Sequence, residues 1–229
     1  MSLSTDPTFS LLKSQFVCGY EDIENKGFAG ASGRHECDGN AVNTSNGAGP
    51  RNVQIFVLAP DGTVLHCLPG YWHSRDLAQE LVFAQKLNRL WLRSDFSLAQ
   101  KKTIASQLQL AHIGDHSQAE HDRSHMQPFD VSYESSHNPG SDALLPGGQA
   151  KTIDVLMHER MAVRPFVPYD QFDVKTFSAY GDPMYDKHEN SLASSGGWHG
   201  KEEFIGNDKR AHPIKAEIMN QLGLGRLKF

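Results

Sequence analysis

The chain has 229 residues, 38% hydrophobic and 21% charged, with a formal net charge of -5, a length that suits one large domain or a small domain with an extension. No apolar run approaches the ~20 residues of a membrane helix, and the Lys and Arg residues are scattered, which leaves no basic field for nucleic acid. Three cysteines, Cys18, Cys37 and Cys67, with no CxxC, are too few for a disulfide scaffold or a closed thiolate zinc site.

The first residues, Met1 to Asp6, combine no basic n-region with an apolar h-region, so the chain as it stands reads as cytoplasmic by default, and as extracytoplasmic if its N-terminus is truncated. Asp6 and Pro7 open a short predicted helix carrying Phe9, Leu11 and Leu12. QFVCGYEDI alternates as a strand would. From Asn25 to Asn52 the Gly, Ser and Asn clusters predict a long loop, of a length usually tied to function or disorder.

VQIFVLAPDGTVLHCLPG predicts two apolar strands joined through Pro60, Asp61 and Gly62. After Tyr71 and Trp72, Leu77, Leu81, Ala84, Leu87 and Trp91 recur at helical spacing, with Phe83 and Leu90 widening the stripe enough to imply contacts on two sides. Leu98 to about His125 reads as helical, with Gly114 and Asp115 as a bend or interruption. Pro128 to Gly148 has the Ser, Pro and Gly content of a linker or surface strap. Lys151 to Val163 reads as a helix stopped at Arg164-Pro165, Asp173 to Tyr180 as a shorter one, and Ile214 to Leu222 as the last.

The order of short helix, strand, connecting segment, antiparallel hairpin through PDG, then Pro69-Gly70-Tyr71 leading into an amphipathic helix resembles the C-terminal two-thirds of the thioredoxin-like fold, over roughly Asp6 to Arg93. The resemblance implies an α/β fold with a thioredoxin-like domain over 1–94, N-terminally truncated relative to the family. A mostly helical and irregular extension follows over 95–229, with the linker-like stretch at 128–148. It also implies a relation to thiol–disulfide redox chemistry, while a protein partner belongs to the alternative of a binding module that uses the long loop and the extension as its surface.

Two departures stand against that activity. The family's CxxC sits at the start of the helix after its central strand and is absent here, with no cysteine before Cys18, and Asn52 and Val53 occupy the binding position where the family has a cis-proline. The chain should therefore be redox-incompetent as it stands. A non-catalytic protein-binding module and a metal-binding protein are the alternatives.

Among the candidate sites, Cys37 lies beside His35, Glu36 and Asp38, where the histidine favours a thiolate and the carboxylates oppose it. Cys18 and Cys67 sit in predicted strands, as small buried hydrophobes do. In HIGDHSQAEHDRSH, His112 and His116 are four residues apart, as are His121 and His125, and each pair can offer two imidazoles to a divalent metal ion. On a straight helix His121 lies about 140° around the axis from His116, so the pairs do not share an ion unless the chain bends at Gly114. HExxH is absent, and a solvated polar helix face is the plainer reading. Asp154 and His158 make a similar pair, expected on an exposed helix face. No P-loop or GxSxG occurs. No organic cofactor is implied, and the oligomeric state is left open.

Overall fold

The computed structural model describes residues 2–23, 25–32 and 44–185. Met1–Ala31 and Thr44–Pro183 form one compact unit. Cys37 and the expected C-terminal helix lie outside the described residues. The architecture is mixed α/β, with an antiparallel hairpin surrounded by helices.

The hairpin follows from its turn chemistry. Strand β1 (Gln54–Leu58) pairs with β2 (Val64–Pro69), with Val57 opposite His66 and a bulge between Val57 and Leu58. Pro60 brings its fixed φ to a turn closed by the Gly62 N–H bond to the Ala59 carbonyl at 3.0 Å, and Gly62 takes the left-handed conformation at φ 84° that ends the three-residue loop. Thr63 N–H bonds to the Asp61 carboxylate at 3.1 Å. Every residue of β2 is buried, because helices α2 (Ser74–Trp91) and α6 (Ile153–Ala162) both pack on it. A two-sided environment of this kind suits a continuous apolar run, and His66 is the exception within it.

Helix α1 (Thr8–Gln15) lies on α2, where the Thr8 hydroxyl donates to the Ser74 carbonyl at 2.5 Å. Helix α3 (Leu98–Ile113) starts with a full capping box, Ser97 with Gln100, and stops at Gly114. The chain restarts at the Ser117 cap as α4 (Gln118–Arg123). The expected interruption at Gly114 and Asp115 is therefore a real break between two helices, and His116 falls in the turn. Helices α5 (Pro128–His137) and α7 (Val174–Phe177) complete the set among the described residues.

One hydrophobic core runs from Val57 to Tyr180 and is built on Leu68, Trp72, Leu77, Leu81, Leu87, Leu156, Met157, Met161 and Phe177. It takes residues from both sides of Ser94. Gly70, at φ 73°, lets the end of β2 touch the 46–49 turn, since a Cβ there would sit 2.4 Å from the Gly47 carbonyl carbon. That close approach fixes Asn46 beside α2.

Two local expectations are corrected. QFVCGYEDI forms no strand: Gln15 ends α1, the residues that follow join no sheet, and Val17 and Tyr20 are essentially fully exposed. Of the alternating face Phe16, Cys18 and Tyr20, Phe16 alone packs against the core while the other two are exposed, so β-propensity alone does not make a strand. In the linker-like stretch at 128–148, the first half is helix α5, which Pro128 opens at the position where its missing N–H costs nothing. Asp130 and Glu134 turn inward to accept N–H bonds from Asp182 at 2.8 Å and Gly181 at 3.0 Å.

Candidate metal centre

Glu80 lies in the middle of the apolar stripe of α2, three residues beyond Leu77 and one before Leu81, and its side chain is fully buried. A carboxylate there must be answered from the surrounding elements. Strand β2 supplies His66, whose Nε2 lies 2.8 Å from Glu80 Oε2. Three imidazole nitrogens are directed at the other oxygen, Oε1. His116 Nε2 is at 3.1 Å, His158 Nε2 at 3.3 Å and His112 Nε2 at 3.8 Å.

The three rings make a nearly equilateral set, with centroids 4.9 Å apart for His112–His116 and 5.1 Å for both His112–His158 and His116–His158. An ion about 2.0–2.1 Å from each donor in a tetrahedral sphere requires donor separations of roughly 3.3 Å and imidazole centroids roughly 5 Å apart. The ring spacing meets the second condition, the separations of 3.1 and 3.3 Å from Glu80 Oε1 meet the first, and all four donor atoms lie within 4.8 Å of one another.

The outer nitrogens are also provided for. His116 Nδ1 is 2.9 Å from Asp154 Oδ2, His158 Nδ1 is 2.5 Å from Gln109 Oε1, and His112 Nδ1 is 3.3 Å from Asp115 Oδ2. Each acceptor draws the ring proton to Nδ1 and leaves Nε2 directed inward, which is the arrangement that orients histidine ligands in metal sites. Gln109 also reaches His66 Nδ1 at 3.4 Å with its amide nitrogen. This assigns the His66 proton to Nε2 and makes His66 a donor to Glu80, not a competitor for the convergence point.

Electrostatics follows from that wiring. Burial by itself would raise the Glu80 carboxyl pKa, but the surrounding imidazoles, His158 first and then His116 and His66, hold it well below the ordinary carboxylate range. His116 is the converse. Burial would lower it, yet its bonds to Asp154 and Glu80 push it up to about 10. Burial dominates at His158 and brings it down to about 4, and it also lowers His112. The metal-free centre is thus one imidazolium at His116, an ionised Glu80, and neutral rings at His158 and His112. His112 Nε2 is buried without a hydrogen-bond partner, a condition that costs about 1–3 kcal/mol for such a group. A cation at the convergence point would satisfy it.

A second group adjoins the first. His121 Nδ1 and His116 Nδ1 both reach Asp154 Oδ2, at 2.6 and 2.9 Å. Glu120, wholly buried, places Oε1 3.9 Å from His116 Nε2, and neither of its oxygens has a hydrogen-bond partner. Burial raises its carboxyl pKa to about 7, with Glu80, Asp76 and Asp154 adding to the shift and His116 opposing it.

The sequence-derived site residues are dispersed unevenly. His112 and His116 converge as a pair, and the break after α3 brings His121 to 5.8 Å from the His116 ring. His125 is exposed and stands outside the cluster. Asp154 and His158, expected on an exposed face, are fully buried, because α6 runs through the middle of the unit and not along its surface. The plainer reading of a solvated helix face is corrected for His116, likewise buried. Asn52 and Val53 lie in the turn before β1, with Val53 half-exposed and its carbonyl accepting from Gly70 N–H. Cys18 is exposed, whereas Cys67 is fully buried with its thiol pKa pushed up by desolvation, as an inert core residue would be.

Residue-pattern reasoning missed Glu80 and His66. Their signal was present in the chain, as a carboxylate inside a helix's apolar stripe and an imidazole inside an all-apolar strand. His112 is the one donor of the four that reaches the surface, with 14% of its side chain exposed. It stacks on Phe83 with ring centroids 4.0 Å apart at the end of a cleft of about 670 Å³ bordered by Arg75, Lys86 and Arg89.

Glu80, His112, His116 and His158 thus form a group able to bind a metal ion, with donor atoms all within 4.8 Å of one another, and His116, His121 and Asp154 form a second such group that shares His116. No helix among the described residues is long and apolar enough to cross a membrane. Comparison with known proteins gives no relative from which a function could be carried over, since no family model, curated protein or solved structure matches this chain.

Proposed function

We propose that this protein is a metal-binding protein that holds one first-row divalent transition-metal ion on Glu80 Oε1 and the Nε2 atoms of His112, His116 and His158. The carrying observation is the convergence of three imidazole nitrogens on one buried carboxylate oxygen at 3.1, 3.3 and 3.8 Å. A set of three imidazoles and one carboxylate favours zinc, iron, copper or nickel over magnesium or calcium, which prefer oxygen ligands alone.

Metal analysis of the full chain, purified without an affinity tag that binds metal, tests the reading. The expected result is about one equivalent of ion per chain, held by a preformed site and lost on Glu80→Gln. A content near zero in wild-type protein, unchanged after incubation with zinc or cobalt, overturns it.

A thioredoxin-like relationship is a separate reading, supported by the β1–β2 hairpin through Pro60-Asp61-Gly62 and the long helix that follows it. On that reading the redox cysteines would lie upstream of Met1, and the chain itself would lack thiol–disulfide activity. An in-frame CxxC upstream of Met1 in the gene supports it. Its absence, together with no insulin reduction, removes the redox part.

A further inference from the structure

Glu120 is fully buried, and both its carboxyl oxygens lie in the interior without a hydrogen-bond partner. Leaving such a group unanswered costs about 1–3 kcal/mol, so a partner is expected. Helix α4 is fixed at its start by the Ser117 hydroxyl, which accepts from Glu120 N–H at 3.2 Å. The side chain then points at the metal cluster, with Oε1 3.9 Å from the nitrogen His116 aims at Glu80. Glu120 is nevertheless not one of the four side chains whose donor atoms all lie within 4.8 Å of one another. It stands beside the coordination sphere without belonging to it.

That spacing has a chemical meaning. A carboxylate set back from an ion is bridged to it by one solvent molecule, which needs about 2.1 Å to the ion and about 2.7 Å to the carboxylate oxygen. We propose that Glu120 holds a water or hydroxide on the ion, so that the sphere expands from the four protein donors to five-coordinate, with one exchangeable position. The inference rests on the metal reading above and goes beyond it. A closed sphere of four side chains is the structural type of site, whereas an ion bearing solvent next to a carboxylate is the type that can accept small exogenous ligands and activate water. Small linear anions that replace water on a metal, azide among them, are the ligand class this position would take.

The test uses the full chain loaded with Co(II), after metal analysis has shown one equivalent bound. Its electron paramagnetic resonance spectrum is compared in ordinary and oxygen-17 water, and its visible spectrum is followed as azide is added. The expected result is line broadening by oxygen-17 and a saturable azide shift in wild type. The broadening should be lost in Glu120→Leu, with the cobalt still bound, and kept in Glu120→Gln, whose amide oxygen still accepts from solvent. Identical spectra in the two waters with cobalt bound overturn the proposal and leave Glu120 as a countercharge to His116. Persistence of the broadening in Glu120→Leu overturns it too. Failure to bind cobalt at all removes the metal reading and this one together, an outcome distinct from a bound ion that carries no solvent. If Glu120→Leu does not fold, the wild-type comparison alone decides.

Discussion

Asp76 and Glu80 sit one turn apart on α2, both fully buried, and the chain answers them in opposite ways. Asp76 takes Arg123 through a two-pronged pair, Nε to Oδ2 at 2.9 Å and Nη2 to Oδ1 at 2.6 Å, with the Asn46 amide at 2.8 Å. The guanidinium carries a permanent charge, which Asp76 reinforces by raising its pKa further. Glu80 has only imidazoles around it. Imidazole is charged or neutral according to what else is present, and a neutral ring can exchange its proton for a metal ion. One acid on this helix is therefore tied off by the protein itself, and the other is left with partners that can be reassigned.

Substitutions should separate the two. The largest effect is expected from Glu80→Gln, which removes the negative charge on which the three Nε2 atoms converge and, with the His66 N–H claiming the amide oxygen, turns the amide nitrogen toward them. Ion affinity should fall by more than about 100-fold, beyond the range seen when only supporting residues are lost. Competition with a chromophoric chelator measures it, and a loss under tenfold would mean that Glu80 is not a ligand. Arg123→Ala should come next, and it should act on folding alone. It strands the buried Asp76 and lowers stability by about 2–4 kcal/mol, somewhat less than the ~3–5 kcal/mol of breaking a fully buried pair because Arg123 is itself partly exposed. Urea unfolding of ion-free protein reads that loss, while ion affinity should stay within about threefold of wild type.

Asp154→Asn lies between the two centres in kind. Its Oδ2 orients His116 and does not touch the proposed ion, so affinity should drop by about 10–100-fold with stoichiometry unchanged. An unaltered affinity would show that His116 needs no orienting group.

The same contrast explains what could be read from the chain. The hairpin was legible because Pro60-Asp61-Gly62 has one good conformation, and so was the stop after α3 because Gly114 interrupts a polar repeat. His112 and His116 were legible as a pair by their spacing. Glu80 was not, because an isolated carboxylate in an apolar stripe carries no partner in its own neighbourhood. Its partners come from β2, the end of α3, the following turn and α6, a meeting only the tertiary fold produces. His158 was misplaced for a related reason, since α6 has weak amphipathic patterning and is buried nearly all round. The strand expected at QFVCGYEDI failed in the reverse sense, with a local pattern of which Phe16 reaches the core while Val17, Cys18 and Tyr20 stay exposed.

The smallest effect is on pH dependence, and it again distinguishes the acids. In ion-free protein the His116 pKa, up to about 10 from 6.5, contributes stability that is fully present below about pH 6.5 and is lost as pH rises through about 10. His158, lowered to about 4, works in the opposite direction. Its contribution is present above about pH 6.5 and lost as pH falls through about 4. A metal ion must displace the His116 proton, so binding near pH 8 should release about one proton, and affinity should rise roughly tenfold per pH unit between about 6.5 and 10. Calorimetry in two buffers of different ionisation enthalpy counts that proton. Bound ion should also flatten the alkaline decline in stability, because the gain in affinity offsets what His116 loses. The Asp76–Arg123 pair offers no such exchange, since arginine keeps its charge throughout this range. Binding without proton release would mean that His116 is not the imidazolium the ion replaces.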